Sequence, residues 1–201
     1  GPCRRICPMC GIAGIANLID RPMPDRSLLE AMGASIRHRG PDGDGFHLEP
    51  GIGFAPRRLS IIDLAGGAQP LANEDGTVLV TYNGEIYNFP ELIADLGARG
   101  HRFKTRCDTE VIVHEWEEWG EACVERFRGM FALALWDRGR ETLFLARDRL
   151  GVKPLYYATL ADGTLLFGSE LKSILVHPDL DRTIDRRAVE EYFAYGYIPD
   201  P

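Results

Sequence analysis

Apolar residues that recur every three to four positions predict several helices along this chain. The first helix begins after Asp25, a residue type that commonly caps helices, and it presents one apolar face. This face consists of Leu28, Leu29, Met32 and Ile36. The same reasoning predicts that further helices begin at Asn88, at Asp108, at Ser169 and at Ile184.

Short apolar segments bounded by turn residues predict β-strands before and between these helices. They are residues 11–16, 46–48, 51–55, 59–63, 78–82, 130–137, 142–148, 155–158 and 165–168. Segments 130–137 and 142–148 are apolar at nearly every position, so we expect central strands that are covered on both faces. The pattern therefore predicts an α+β fold in which hairpin-rich antiparallel sheets lie between outer layers of helices.

Length, charge and cysteine content narrow the class of protein. The 201 residues suffice for one domain with a substantial core and the beginning of another. A formal net charge of -7 argues against nucleic acid or an anionic membrane surface as the main partner. The sequence shows no apolar run of membrane-spanning length and no signal-peptide pattern, and its five cysteines are odd in number. We therefore expect a cytoplasmic protein without a disulfide framework.

Three of the cysteines lie close together near the N-terminus and allow two interpretations. Cys3, Cys7 and Cys10 have the C-x3-C-x2-C spacing that can bind three irons of a [4Fe–4S] cluster. However, the chain is too short and wrongly patterned for the large barrel that surrounds such a loop in radical enzymes. Alternatively, the segment from Met9 resembles the start of a protein, in which Cys10 would carry a thiol and a free α-amine in one residue.

One further segment has the beginning of a metal-binding motif. Residues 114–118 read HEWEE, which starts like the zinc-binding H-E-x-x-H helix but ends in glutamate. Because the second imidazole is missing from this motif, we expect a solvated helix face here.

Eight short motifs occur in a fixed order from residue 10 to the end of the chain. They are CGIAGI (10–15), HRGPDG (38–43), RRLSIID (57–63), YNGEIYN (82–88), DTEV (108–111), GMFA (129–132), RDRLG (147–151) and GSE (168–170). With this ordered set the chain resembles the class II glutamine amidotransferase domain of glutamine-hydrolysing asparagine synthetases. Segment 101–120 further resembles the branch of that family associated with exosortase systems.

The resemblance implies a fold, a reaction and a nucleophile. The fold is the four-layer αββα sandwich of N-terminal nucleophile hydrolases, and the reaction is the hydrolysis of L-glutamine to glutamate and ammonia. Cys10 supplies the thiolate and its own α-amine takes the proton, since a free α-amine titrates near ~7.7–8.0 and a thiol near ~8.5. Asn83 and the backbone N–H of Gly84 form the oxyanion hole.

The resemblance also assigns residues that hold the amino-acid end of glutamine. Arg58 binds the α-carboxylate, and Glu85 and Asp108 hold the α-ammonium group. Taken singly, these residue types have ordinary structural interpretations: Asn83-Gly84 is a turn dipeptide, Asp108 is a helix cap, and Arg58 is a surface ion-pair residue. Only the ordered set of motifs favours the functional roles. We interpret the 38–45 loop as structural, and Arg147-Asp148 as a salt bridge.

Two departures from the family pattern bear on activity. Pro56 stands where family members commonly have His, next to the segment that carries Arg58, so the geometry there is in doubt. Nine residues also precede Cys10, and they place its nitrogen in a peptide bond. This extension is either a removable leader or the result of a mis-chosen start codon, of which we favour the second, and its first two residues resemble a tag remnant.

These observations give a domain plan and two hypotheses of function. Residues 1–9 form the extension, 10–178 the amidotransferase domain, and 179–201 a linker and first helix that lead into a synthetase domain. The main hypothesis is a glutaminase that passes ammonia to its own or a separate synthetase domain. We expect no cofactor in this domain, with ATP and Mg²⁺ confined to the synthetase; a homodimer is left open. The alternative is a non-catalytic partner module whose pocket is plugged by the extension.

Overall fold

A computed structural model describes residues 9–59 and 68–199 of the chain. The strands are β1 (Ala13–Ala16), β2 (Gly43–Asp44), β3 (His47–Glu49), β4 (Ile52–Phe54), β5 (Arg57–Arg58), β6 (Leu71–Ala72), β7 (Val78–Ile86), β8 (Gly129–Asp137), β9 (Thr142–Arg147), β10 (Tyr156–Thr159) and β11 (Leu165–Gly168). The helices are α1 (Arg26–Ser35), α2 (Phe89–Ala98), α3 (Asp108–Trp119), α4 (Leu171–Ile174) and α5 (Arg186–Tyr195), and a 3₁₀ helix (Gly120–Glu125) follows α3.

Two antiparallel sheets form the centre of the molecule. One has the strand order β10-β11-β1-β4-β3 and the other the order β6-β7-β8-β9, while β2 and β5 form a separate short pair. In the first sheet β1 lies between β11 and β4, so that Gly14 is opposite both Phe167 and Phe54. In the second, β7 and β8 pair over nine residues each.

Three apolar clusters separate four layers. Between the sheets, Phe54 and Phe167 contact each other edge to face, with Leu79, Ala134 and Trp136 in the same cluster. A second cluster lies between the five-stranded sheet and the layer formed by α1 and α4. A third lies between the four-stranded sheet and the layer formed by α2 and α3. Each sheet thus buries both faces, which confirms the predicted αββα sandwich.

The helix predictions are largely confirmed, and two of the helices, α1 and α5, begin at a side-chain cap. The Asp25 carboxylate accepts the backbone N–H of Leu28 at 3.0 Å and so caps α1. Asp185 caps α5 in the same way through the N–H of Arg187. The helix predicted from Ser169 is shorter than expected, since α4 comprises four residues only. None of the helices in the described ranges is long and apolar enough to cross a membrane.

The strand predictions differ from the structure in four ways. β9 is the edge strand of its sheet and is half-buried along most of its length, so the prediction of a central strand at 142–148 is wrong. β7 continues past Tyr82 to Ile86, so the interpretation of Asn83-Gly84 as a turn is wrong. Its pairing with β8 runs through both residues, and this pairing overrides the local preference of the dipeptide. The short strands β2, β5 and β6 were not predicted. Of the predicted strand 59–63, only Leu59 lies within the described residues, and it is outside any strand.

The predicted Arg147-Asp148 ion pair is replaced by two sets of backbone contacts. The Asp148 carboxylate accepts the N–H groups of Phe131, Val152 and Lys153 at 2.9–3.2 Å. The Arg147 guanidinium donates to the carbonyl of Gly151 at 2.6 Å. Both side chains therefore organise the chain that follows β9, and Lys153 is the residue this turn brings to the site described next.

Candidate active site

The six residues selected from the sequence line one cleft. They are Cys10, Arg58, Asn83, Gly84, Glu85 and Asp108. The cleft is completed by Met9, Leu59, Gln69, Tyr82, Cys107, Thr109, Met130 and Lys153. Its volume is about 130 Å³, and because a cavity needs about 10–15 Å³ for each water molecule that it holds, it can accommodate about ten non-hydrogen atoms. A free amino acid is a molecule of this size.

Contacts with β5 and the residue after it hold Cys10 at the cleft. Gly11 and Arg57 exchange backbone hydrogen bonds of 2.8 and 2.7 Å, which align the segment before β1 with β5. The N–H of Leu59 donates to the Cys10 sulfur at 3.4 Å, and the thiol lies 3.6 Å from the Leu59 carbonyl. The sulfur is therefore held beside the C-terminal end of β5.

The charges around Cys10 have opposing effects on its thiol. Burial raises the pKa of the Cys10 thiol above its ordinary value. The Leu59 N–H and the positive charges of Arg58 and Arg39 oppose the rise, while the negative charge of Asp108 adds to it. A base close to the sulfur is therefore needed to form the thiolate near neutral pH.

Alternation along β7 aims neighbouring residues at different parts of the site. Successive strand residues point to opposite faces of a sheet. Tyr82 therefore lies in the apolar cluster between the four-stranded sheet and α3, whereas Asn83 points to the other face, toward the five-stranded sheet. The partners of the Asn83 amide assign its orientation: with the nitrogen toward Cys10, it donates to the Cys10 carbonyl at 2.9 Å and the oxygen accepts from an Arg39 Nη at 3.3 Å. Asn83 is almost fully buried.

Arg39 is a site residue that the sequence analysis missed, because it lies in the loop interpreted as structural. Its Nε donates to the Cys10 carbonyl at 3.0 Å, and a second nitrogen orients the Asn83 amide. The remaining Nη donates to Glu170 at 3.1 Å. Arg39 belongs to the HRGPDG motif and Glu170 to the GSE motif. The ordered motifs therefore included both residues, although they did not indicate the contact of Arg39 with the site.

Asp108 joins β7 to α3 and does not cap the helix as its residue type suggested. Cys107 occupies the N-cap position and Asp108 is the first residue of α3. The Tyr82 hydroxyl donates to Asp108 Oδ2 at 2.7 Å, and the Ile86 N–H donates to the same oxygen at 2.9 Å. Burial raises the pKa of the Asp108 carboxyl, although the hydrogen bonds from Ile86 and Tyr82 oppose the rise. The pKa of Tyr82 is raised well above its usual value, chiefly by burial, so its hydroxyl stays a donor.

Gln69 and Lys153 also line the cleft without having been selected from the sequence. The Gln69 side chain exchanges two hydrogen bonds, of 2.7 and 2.9 Å, with the backbone of Tyr82 and thereby holds β7. Lys153 Nζ lies 3.0 Å from the sulfur of Met9. Burial, reinforced by the positive charge of Arg39, lowers the pKa of the Lys153 ammonium group.

Comparison with known protein families gives a match over almost the whole chain. The family described as glutamine amidotransferase domain matches residues 9–201. The chain belongs to this family. The fold described above is therefore that of a glutamine amidotransferase domain.

The relatives of this amidotransferase domain are asparagine synthetases. Asparagine synthetase [glutamine-hydrolyzing] 2 of Bacillus subtilis is 48% identical over 191 residues, and synthetase 3 of the same organism is 42% identical over 190. A rice relative of the same name is 43% identical over 166 residues. The alignments cover 94%, 94% and 83% of this chain, but only 25%, 31% and 28% of the respective relatives. The chain thus spans about a quarter to a third of the relatives' length.

Solved structures support the fold of the amidotransferase domain. The glutamine phosphoribosylpyrophosphate amidotransferase of B. subtilis, complexed with ADP and GMP, superposes with a TM-score of 0.67 at 21% identity. The match covers 83% of this chain and 43% of that one. At this identity the likeness concerns the fold alone, and it agrees with the αββα sandwich described above. The resemblance to the exosortase-associated branch stays a prediction.

Pro56 leaves the strand arrangement beside Arg58 intact. The N–H groups of Ala55 and Arg57 donate to the carbonyls of Ala13 and Gly11 at 2.8 and 2.7 Å, so the pairing with the segment around β1 continues on both sides of the proline. The Pro56 carbonyl accepts the N–H of Gly45 at 3.1 Å. Because strand residues alternate in direction, the missing N–H of Pro56 falls on the side that does not pair with β1.

The iron–sulfur interpretation cannot be completed from the described residues, since Cys3 and Cys7 lie outside them. Cys10 itself lies in the amidotransferase cleft beside Asn83 and Arg39. Within the cleft the groups that could contact a metal include the thiols of Cys10 and Cys107 and the carboxylates of Glu85 and Asp108. The absence of a cofactor from this domain remains a prediction.

Proposed function

We propose that this amidotransferase domain hydrolyses the side-chain amide of glutamine, with Cys10 as the nucleophile. The observation that carries the proposal is that segments far apart in sequence bring Cys10, Arg58, Asn83, Gly84 and Asp108 to one cleft of amino-acid size. The family membership of the chain and the names of its relatives support the same reaction.

The first step requires the α-nitrogen of Cys10 as a base. In this chain that nitrogen is in a peptide bond with Met9, and its lone pair is delocalised into the amide. Cleavage of the Met9–Cys10 bond yields an amine whose pKa, about 7.7–8.0, suits proton transfer near neutral pH. It also removes Met9 from the cleft and frees the Lys153 ammonium group that contacts its sulfur.

The thiolate then adds to the amide carbon of glutamine, and the carbonyl oxygen becomes an oxyanion. Asn83 can stabilise this charge, because its amide nitrogen has two hydrogens and donates only one to the Cys10 carbonyl. The backbone N–H of Gly84 is the second proposed donor. Arg39 acts as a positioning residue, since its contacts turn the Asn83 nitrogen toward Cys10.

Collapse of the tetrahedral intermediate breaks the carbon–nitrogen bond. The α-ammonium group of Cys10 returns the proton to the leaving nitrogen, so that ammonia departs and a thioester forms on Cys10. Water, deprotonated by the same amine, then adds to the thioester, releasing glutamate and restoring the thiol. No oxidant, metal or cofactor is needed for this balance of atoms and charge.

Charged side chains at the cleft suit the amino-acid end of glutamine. Arg58 offers a planar guanidinium for the α-carboxylate. Asp108 offers a buried carboxylate for the α-ammonium group, and binding of that cation offsets the burial that raises the pKa of Asp108. Glu85, which lies on the exposed edge of the cleft, completes the negative side.

We further propose that the ammonia passes to a synthetase domain that uses ATP and Mg²⁺. The relatives are three to four times as long as the matched region and are named asparagine synthetases. The acceptor of the ammonia, the cytoplasmic location and a homodimer belong to this wider proposal. The domain boundaries at residues 9/10 and 178/179 are part of it as well.

The test compares the chain with Cys10 at its N-terminus and the chain that retains Met9. The first should release glutamate and ammonia in equal amounts and should be labelled at Cys10 by a glutamine-analogue electrophile. A matched Cys10→Ala variant should bind glutamine without turnover or labelling. A freed domain that binds glutamine yet shows neither turnover nor labelling refutes the proposal. Together with an uncleaved extension in protein from the natural host, that result would favour the non-catalytic partner module.

A further inference from the structure

Two histidines and a glutamate converge beside α3, two turns beyond Asp108. His114 Nδ1 lies 3.1 Å from His101 Nδ1 and 2.8 Å from Glu117 Oε2. The distance from His101 Nδ1 to Glu117 Oε2 is 3.4 Å. Ligand atoms bound to tetrahedral Zn²⁺ at about 2.0–2.1 Å lie about 3.3 Å from one another. The three atoms therefore approximate one face of a zinc coordination tetrahedron.

The fold builds this arrangement from two helices. His114 and Glu117 are three residues apart on α3 and thus share a face of the helix. His101 follows α2, where Gly100 has a φ of +104° and the His101 N–H donates to the Leu96 carbonyl at 3.1 Å. This is a Schellman ending, which requires a residue that tolerates a positive φ and fixes the position of the residue after it.

A second polar group holds two of the proposed ligands, His101 and Glu117, whereas the second ring nitrogen of His114 has no hydrogen-bond partner. His101 Nε2 lies 3.0 Å from Glu118 Oε1, and Asn73 Nδ2 donates to Glu117 Oε1 at 2.7 Å. His114 Nε2 lies 3.8 Å from a carboxylate oxygen of Glu110. A histidine whose second ring nitrogen faces a carboxylate is the usual environment of a metal-binding imidazole in proteins.

The hydrogen positions available to His114 favour a cation at the centre. Its side chain is 1% exposed, and a carboxylate oxygen faces each ring nitrogen, at 2.8 Å from Nδ1 and at 3.8 Å from Nε2. A neutral imidazole has one N–H and one lone pair. With its hydrogen on Nε2, His114 can accept at Nδ1 from His101 Nδ1, but the Nε2 lone pair of a neutral His101 then faces Glu118 Oε1 at 3.0 Å. Each arrangement in which both rings are neutral thus leaves one lone pair directed at a carboxylate. A metal bound at Nδ1 removes this conflict, because Nε2 then carries the hydrogen toward Glu110.

We propose that His101, His114 and Glu117 bind Zn²⁺, with water as the fourth ligand. The choice of metal follows from the ligands, since two imidazoles and one carboxylate suit Zn²⁺. Solvent reaches the site because the side chains of His101 and Glu117 are 15% and 27% exposed. The metal would clamp the end of α2 to α3, the helix whose first residue is Asp108.

This site corrects the interpretation of residues 114–118 as a solvated helix face. His114, Glu115 and Trp116 are buried, and the second imidazole comes from His101, thirteen residues earlier in the chain. The H-E-x-x-H motif does not describe this arrangement, because that motif takes both imidazoles from one helix.

The experiment uses the full chain, stripped of metal and with its thiols alkylated so that cysteines cannot bind. We expect one Zn²⁺ or Co²⁺ per chain, and for Co²⁺ we expect d–d absorption bands without a thiolate charge-transfer band. His101→Ala and Glu117→Gln should abolish stoichiometric binding, while Glu118→Gln should weaken it about 10–100-fold. His177→Ala is the matched control, since His177 lies in another part of the chain, and it should bind like the wild type.

¹⁵N spectra of the histidine ring nitrogens distinguish a bound metal from a bound proton. With Zn²⁺ bound, ¹⁵N spectra should show Nδ1 of both histidines coordinated and both Nε2 atoms carrying hydrogen. The proposal is wrong if the alkylated chain binds no metal, if the two ligand variants bind as the wild type does, or if His114 carries hydrogen on both nitrogens in the presence of Zn²⁺. Circular dichroism establishes that each variant is folded; should one fail, the cobalt and ¹⁵N spectra of the wild type decide.

Discussion

Gly84 lies where the cleft meets the contact between β7 and β8, and its replacement by alanine tests that packing. A Cβ atom built at Gly84 lies 2.3 Å from the Met130 carbonyl oxygen and 2.7 Å from the Phe131 Cα. Restoring an ordinary contact distance of 3.4 Å requires the two strands to separate by about 1 Å. Both strands are central to the sheet, since β6 and β9 flank them, so little movement is available.

The expected cost follows from the close packing. Added atoms that force backbone shifts in a packed region cost about 1–3 kcal/mol. With a urea dependence of about 1–3 kcal/mol per molar, the midpoint of urea unfolding should fall by about 1 M in Gly84→Ala. The cleft should widen at the proposed oxyanion donor, so turnover of the chain that begins at Cys10 should fall as well.

Gly97→Ala is the matched control for this substitution. Gly97 lies within α2, and a Cβ there meets no atom within 4 Å. Alanine should therefore stabilise the helix by about 0.5–1 kcal/mol, because glycine loses more backbone entropy on folding. If urea unfolding shows Gly84→Ala to be as stable as the wild type, or the two variants to change stability equally, the reasoning about strand contact is refuted.

Three further predictions concern charges at the cleft. Alkylation of Cys10 in the chain that retains Met9 should have a pH midpoint above the usual ~8.5 of a thiol, because burial raises its pKa; Arg58→Met should raise the midpoint further and Asp108→Asn should lower it. Shifts of the opposite sign would contradict this account. Arg39→Met should lower kcat for glutamine, by less than the roughly 10²–10³-fold expected for loss of the oxyanion donor Asn83, and should leave KM nearly unchanged; a change in KM alone would exclude its positioning role. Asp108→Asn should raise KM yet retain stability at pH 7. A raised folded pKa means that the stability contributed by Asp108 is fully present below its unfolded pKa and is lost as pH rises through the folded pKa. Urea unfolding at pH 4 and pH 7 should therefore show a smaller loss of stability with rising pH in Asp108→Asn than in the wild type. An equal or larger loss in the variant would refute this contribution of Asp108.

Local sequence was sufficient for elements whose stabilising contacts lie within a few residues. The cap at Asp25 and the spacing from Leu28 to Ile36 define α1, and both operate within one or two helical turns. The apolar run of β8 likewise identified a central strand, because a strand buried on both faces needs no partner to reveal it. The apolar run at 142–148 did not, since β9 is the edge strand of its sheet and is half-buried. The ordered motifs selected six residues that the structure brings to one cleft.

Local sequence failed where a distant strand determined the outcome. Asn83-Gly84 is a turn dipeptide in isolation, yet it continues β7 because Ala132 and Phe131 pair with it. Asp108 has the residue type of a helix cap, yet its carboxylate binds Tyr82 and the Ile86 N–H, both on β7. In each case a long-range contact outweighs a preference worth about 1 kcal/mol.

The sequence by itself thus determined most of the helices, the central strand β8 and, through its ordered motifs, the family and the choice of Cys10 as the proposed nucleophile. Only the tertiary structure decided that Arg39 orients Asn83 and that His101 meets His114. The physical reason is distance along the chain. Capping and periodicity act over about four residues, whereas these contacts depend on the pairing of sheets and on where the end of α2 places the chain beside α3.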